Sequence, residues 1–211
     1  MHRSPSSSRV RAAGFTLVEL LVVIAIIALL LTLVAPTLFR GKDEANNVAC
    51  KQKLSEIGKT FLLYRSHHED KFPSSTGVRF LLAPWKAKEI DQNERYAKIY
   101  QCPGDRYDTP IDEESKELRI VDVEQADSSM VSYSGRDTKA FPIKYSDAGK
   151  ELIACDDDEN EPNHPLGINV LYADLSVDFL SFENLGLENP AEDFKVGPEA
   201  QIETFRVVSN D

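Results

Sequence analysis

Residues 14–36 read GFTLVELLVVIAIIALLLTLVAP, and the fold turns on them. Between Phe15 and Ala35 the only charged side chain is Glu19. At ~1.5 Å per residue a helix of that length spans roughly 30 Å, the thickness of a bilayer's hydrocarbon core. Ahead of it lies a serine-rich leader with Arg3, Arg9 and Arg11 and no acid; beyond it come Lys42, Asp43 and Glu44. Basic residues on the N-terminal side predict a cytoplasmic N-terminus and an extracytoplasmic C-terminal domain. A cleaved signal peptide fits poorly, because its apolar region usually runs only about 7–15 residues and ends at a small-residue site. Here Pro36 follows Ala35, the most plausible small residue.

Glu19 argues against an ordinary anchor as well. A carboxylate in hydrocarbon costs a few kcal/mol even on lenient scales, so it calls for a cation or a polar interface within the membrane. The nearest cation would be a new α-amino group, made by cutting the chain just before Phe15. That amine would sit four residues from Glu19, or pair with Glu19 of a neighbouring copy.

Residues 14–24, GFTLVELLVVI, resemble the processing motif of type IV pilins and type II secretion pseudopilins. The resemblance implies that a prepilin peptidase cuts after Gly14 and methylates the exposed amine of Phe15. It gives Glu19 the family's acidic assembly position, five residues into the mature chain. Pro36 matches the family's proline at the membrane exit, where a missing backbone donor lets the helix bend or lose hydrogen bonds.

Residues 38–66 keep a helical rhythm of apolar positions, Ala45, Val48, Cys50, Leu54, Ile57, Phe61 and Tyr64, with lysines and Glu56 between them. This predicts one helix, apolar within the membrane and amphipathic outside it. Phe72-Pro73 ends it. The adjacent His67 and His68 point about 100° apart on a helix, which favours a solvated helix end over a metal site. Farther on, 84–98 reads as a short helix. Strands are expected at 118–123, 130–134, 151–155, 168–172, 177–180 and 202–208, which are rich in β-branched and aromatic residues. The expected fold class is α+β: a long N-terminal helix packed on a small antiparallel sheet. Its divisions are a leader at 1–14, a membrane helix at 15–36, an amphipathic continuation at 37–70 and a β-rich domain at 71–211.

The whole 211-residue chain carries a net charge of −11, and removing the three leader arginines leaves −14. Such a surface repels nucleic acid. Three cysteines, Cys50, Cys102 and Cys155, allow at most one disulfide and contain no CxxC pair, so zinc is not expected. Later stretches extend the resemblance to pilin-like secretion proteins: ACKQKLSEIGKTFLLYRSHHEDKFP (49–73), Cys102-Pro103-Gly104-Asp105, Ser132-Tyr133, and GINVLYADLSVDF (167–179). Cys50 and Cys102 both fall in these motifs, which favours that pair for the disulfide. Leu175 stands where those proteins have glycine after Asp174, and Leu resists the positive φ of a tight turn.

The acidic run Asp156, Asp157, Asp158, Glu159, Asn160, Glu161 offers oxygens for Ca2+, as some pseudopilins use in a C-terminal loop, and Asp174 could join it. The EF-hand pattern is absent, so a solvated acidic loop is favoured. No nucleophile elbow, HExxH helix or phosphate loop is present. Cys102 and His164 could be imagined as a nucleophile pair, but Pro103-Gly104 beside Cys102 reads as a turn, and the structural reading is favoured. The expectation is therefore a non-enzymatic subunit of the type II secretion pseudopilus. Its partners would be homo- and hetero-oligomeric pilin-like subunits, a prepilin peptidase, the inner-membrane secretion platform and a cytoplasmic assembly ATPase. The alternatives are a minor pilin of a type IV pilus and a membrane-anchored extracytoplasmic binding protein.

Overall fold

The computed structural model describes residues 16–105, 108–112, 114–144, 151–156 and 162–209. Helix α1 (Leu17–His67) crosses from a first compact unit, ending at Lys42, into a second, Asp43–Asp211. In the first unit, Leu17–Ala35 is long and apolar enough to cross a membrane, and none of it is buried within the chain. The polar hydroxyl of Thr32 is satisfied locally, donating to the Leu29 carbonyl at 2.7 Å. Pro36 lies inside α1. Having no N–H, it leaves the Thr32 carbonyl without its helical donor.

In the second unit α1 becomes one-sided. Cys50, Leu54, Ile57 and Phe61, spaced by four, three and four residues, are all fully buried. The helix ends where Glu69 and Asp70 take positive φ, 55° and 58°, while the Asp70 amide donates back to the Arg65 carbonyl at 3.0 Å. His67 pairs with Glu89 at 2.6 Å, and His68 stacks on Tyr64 at 3.8 Å between ring centres. His68 Nδ1 also lies 2.7 Å from the Tyr64 carbonyl oxygen and 3.8 Å from Glu89 Oε1, so both histidines reach the same carboxylate at the helix end.

A five-stranded antiparallel sheet lies in the same unit: β1 (Ser134–Arg136), β2 (Leu152–Cys155), β3 (Gly167–Tyr172), β4 (Val177–Ser181) and β5 (Val208–Ser209), in the spatial order β4-β3-β2-β1-β5. Both faces are covered. Ile153, Ala154, Leu171 and Ala173 join the core built on Cys50, Leu54, Ile57 and Phe61. Leu152, Cys155, Ile168, Val170 and Val208 pack with Phe182, Phe194 and Phe205 in a second cluster. Adjacent residues of a regular strand face opposite ways, yet Ile153 and Ala154 share a face; a shift in the β2–β3 register between Leu152 and Ala154 accounts for it.

The hairpin joining β3 to β4 forms despite Leu175. The Leu175 amide donates to the Tyr172 carbonyl at 2.8 Å, the Tyr172 amide to the Ser176 carbonyl at 2.9 Å, and Leu175 takes φ 69°. This is a three-residue loop with a left-handed third residue rather than a two-residue primed turn. Half-buried Leu175 packs on the main core, a return that glycine could not give.

Three expected strands are shorter or absent. Only Leu118 of 118–123 makes a bridge, to Ile111. Asp122 then accepts from the Glu124 amide and starts a 3-10 turn at Val123–Gln125. Asp127 does the same for Ser128–Met130, so pairing begins at Ser134 rather than residue 130. Ile202, Phe205 and Val208 recur at three-residue steps, and 202–208 contains the 3-10 helix Glu203–Val207 before β5. The expected helix at 84–98 is divided. α2 (Gly77–Leu81) and α3 (Ala83–Lys86) precede a positive φ of 58° at Lys88, and Asn93 caps a new helix, α4 (Glu94–Ala97). A last short helix, α5 (Pro190–Asp193), precedes Phe194.

Gly135 in β1 sits where a Cβ would come 2.2 Å from the Gly77 carbonyl oxygen, so α2 can approach the strand only at glycine. Gly135→Ala is expected to destabilise the folded unit by about 1–3 kcal/mol, the usual cost of overpacking, read as a lowered urea midpoint. An unchanged midpoint would show that α2 can retreat freely.

Candidate functional site

The N-terminal site begins at Thr16. Glu19 Oε2 accepts from the Thr16 amide at 2.8 Å and from the Thr16 hydroxyl at 2.7 Å, while the Glu19 amide donates back to Thr16 Oγ1 at 3.3 Å. This reciprocal pattern is a capping box, with Thr16 as N-cap and Glu19 as the third helical residue. It satisfies donors that a helix start leaves open and places a carboxylate at the positive end of the helix dipole. The sequence carries the signal as Thr-x-x-Glu at residues 16–19. Gly14 and Phe15, the expected cleavage and methylation positions, lie outside the described residues.

A second constellation lies in the sheet unit. Cys50 on α1 and Cys102, after the 3-10 turn Lys98–Tyr100, form a disulfide with Cα atoms 5.1 Å apart. His164 Nε2 lies 3.5 Å from Cys102 Sγ and 3.1 Å from Asp156 Oδ2. The candidate ligand atoms of Cys50, Cys102, Asp156 and His164 all fall within 4.8 Å of one another, and all four residues are buried. Gly104 makes the approach possible: a Cβ there would meet the Asn163 carbonyl oxygen at 2.5 Å and His164 Cε1 at 2.9 Å. Cys155 is buried in β2, outside the disulfide.

Asp156 is not part of a solvated acidic loop, being only 1% exposed. Its Oδ1 accepts from the Asn169 amide at 2.6 Å and its Oδ2 from Asn169 Nδ2 at 2.5 Å. Burial pushes its carboxyl above the usual carboxylate range, opposed by its contacts with His164 and Asn169. Asp174 is exposed at the hairpin tip, where it accepts from the Ser176 amide and hydroxyl at 2.9 and 2.6 Å. It shapes the turn and is not in the buried group around Asp156. Asp157 and Asp158 lie outside the described residues. Of the weaker calcium reading's candidates, Asp156 and Asp174 do not come together, since the first faces inward and the second serves a turn.

The sequence offers Cys102 and His164 as a pair, and the structure brings them together across 62 residues as neighbours in the buried group, with Asp156 beside them.

The family model described as the prokaryotic N-terminal methylation motif matches residues 9–35. The chain therefore carries a prepilin-type motif on an α+β, pilin-like fold, which implies processing by a prepilin peptidase and assembly with other pilins. Comparisons with curated proteins and with solved structures find no match.

The disulfide closes a separation of 52 residues. Chain-entropy reasoning assigns such a loop about 4 kcal/mol, so the Cys50→Ala/Cys102→Ala variant should lose up to about that amount in chemical denaturation. Unchanged stability would mean the crosslink constrains nothing that packing does not already hold.

Proposed function

We propose that this chain is a structural subunit of a type II secretion pseudopilus, cut between Gly14 and Phe15, methylated on Phe15, and drawn from the inner membrane into a filament. The observation carrying the reading is the apolar span Leu17–Ala35 headed by the Thr16–Glu19 capping box within the methylation motif. The span exposes its large apolar side chains all round, which only lipid or neighbouring helices can cover.

In the membrane Glu19 is held by its own Thr16, which lowers the cost of waiting there. Cleavage creates an amine at Phe15. In a filament Glu19 exchanges neutral donors for the Phe15 amine of an adjacent subunit, and the charged pair fixes the register of packed helices. Filament growth requires no active site in the subunit, since a cytoplasmic assembly ATPase supplies the work. The leader stays cytoplasmic and the sheet unit lies in the periplasm. A disulfide-bonded domain suits that oxidising compartment.

A Glu19→Val variant should reach the membrane and fold while its filament incorporation falls at least about tenfold, the loss expected for about 1.4 kcal/mol of one charged contact. Wild-type incorporation by that variant would remove the register mechanism. Mass spectrometry of mature protein should find a chain beginning at N-methylated Phe15. An N-terminus upstream of Gly14 would instead favour a membrane-anchored domain outside any filament.

A further inference from the structure

The geometry points to a Zn2+ site formed by Cys50, Cys102, His164 and Asp156, open to the metal while the two cysteines are thiols and closed to it once they are joined. Four donors of these types are a complete tetrahedral set for zinc, two sulfurs, one nitrogen and one oxygen. With Zn–S near 2.3 Å and Zn–N or Zn–O near 2.0–2.1 Å, tetrahedral edges come to roughly 3.6 Å for S–N and roughly 3.4 Å for N–O. The chain already sets Cys102 Sγ 3.5 Å and Asp156 Oδ2 3.1 Å from His164 Nε2. The two sulfurs must part, from bonding distance to roughly 3.8 Å, and the donor pairs now up to 4.8 Å apart must close toward these edges.

The surroundings are arranged for ligands. Gly104 N–H points to Cys102 Sγ at 3.3 Å, two residues on, a backbone donor that stabilises a thiolate. Tyr133 OH lies 3.4 Å from Cys50 Sγ, and burial holds its phenol protonated, able to donate. Asn169 fixes both oxygens of Asp156 through its amide and side chain, and Asn169 Nδ2 also donates to Asn47 Oδ1 of α1 at 2.7 Å. Such outer contacts orient metal ligands. A disulfide alone gives no reason to bury a carboxylate and an imidazole against its sulfurs.

The chemistry balances without an added oxidant. The chain is synthesised with thiols, so zinc entry releases two protons, one from each cysteine, as two Zn–S bonds form. From the disulfide state, a dithiol or phosphine reductant must first supply two electrons to break the S–S bond. Metal and disulfide are then alternative fastenings between α1 and the 102–105 turn, using the same two sulfurs.

The test uses the untagged full chain in detergent. Denatured, phosphine-reduced protein is refolded without oxygen, with one equivalent of Zn2+ or with a chelator, and metal surviving gel filtration is counted. The expected result is one zinc per chain, a higher melting temperature than the chelator sample, and on Co2+ substitution the thiolate charge-transfer and intense visible bands of tetrahedral cobalt. Cys155→Ser should bind as the wild type does. His164→Gln should bind at least about 100-fold more weakly, since even outer-sphere changes cost about 10–100-fold. The oxidised wild type should retain none. Reduced protein that retains no zinc, a His164→Gln variant that binds as tightly as wild type, or octahedral cobalt spectra would each overturn the site.

Discussion

The seam of Cys50, Leu54, Ile57 and Phe61 is the contact on which the sheet unit depends. All four are fully buried, and they share one core with Val78 and Phe80 of α2, Trp85 of α3, Ile153 and Ala154 of β2, and Leu171 of β3. Phe61 packs its ring on Phe80 and Phe72, with centres 4.8 and 5.8 Å away. Short elements of two to six residues cannot hold themselves together in water, so a long preformed surface must organise them. The helix supplies that surface. The sheet in turn needs a second cover, and the aromatic cluster of Phe182, Phe194 and Phe205 closes its other face.

The same helix meets a different rule before Asp43. There every large apolar residue from Leu17 to Val34 is exposed, so the pattern is continuous rather than one-sided. A carboxylate survives at its head because Thr16 gives it two donors. The capping box and the proposed intersubunit pair are successive uses of one side chain. A carboxylate satisfied by neutral donors can exchange them for a stronger charged one without ever being left bare in lipid.

Legibility followed the range of the interaction. The apolar span, the amphipathic continuation and strands β2, β3 and β4 were readable because period and composition are local properties. Within 118–123 and 130–134 only Leu118 and Ser134 pair, because Asp122 and Asp127 cap 3-10 turns and side-chain competition for the backbone overrides β-propensity. At 202–208 the three-residue recurrence of Ile202, Phe205 and Val208 was available but β-branched composition outweighed it. The β3–β4 turn formed with leucine at a positive φ because packing on the core repays the backbone cost.

The buried cysteine–histidine–aspartate group shows why spacing rules miss some sites. Zinc motifs are recognised when one loop brings two ligands, as in CxxC, since a short chain then guarantees proximity. Here Cys50 comes from a helix, Cys102 from a turn, Asp156 from the end of a strand and His164 from a loop, and only the folded sheet assembles them. Asp156 opens an acidic run in the sequence, but its own chemistry belongs to Asn169 and His164 on the inner side. A run of like residues invites one shared role. Burial separates them, because a carboxylate taken out of water must find specific partners, whereas solvated ones need none.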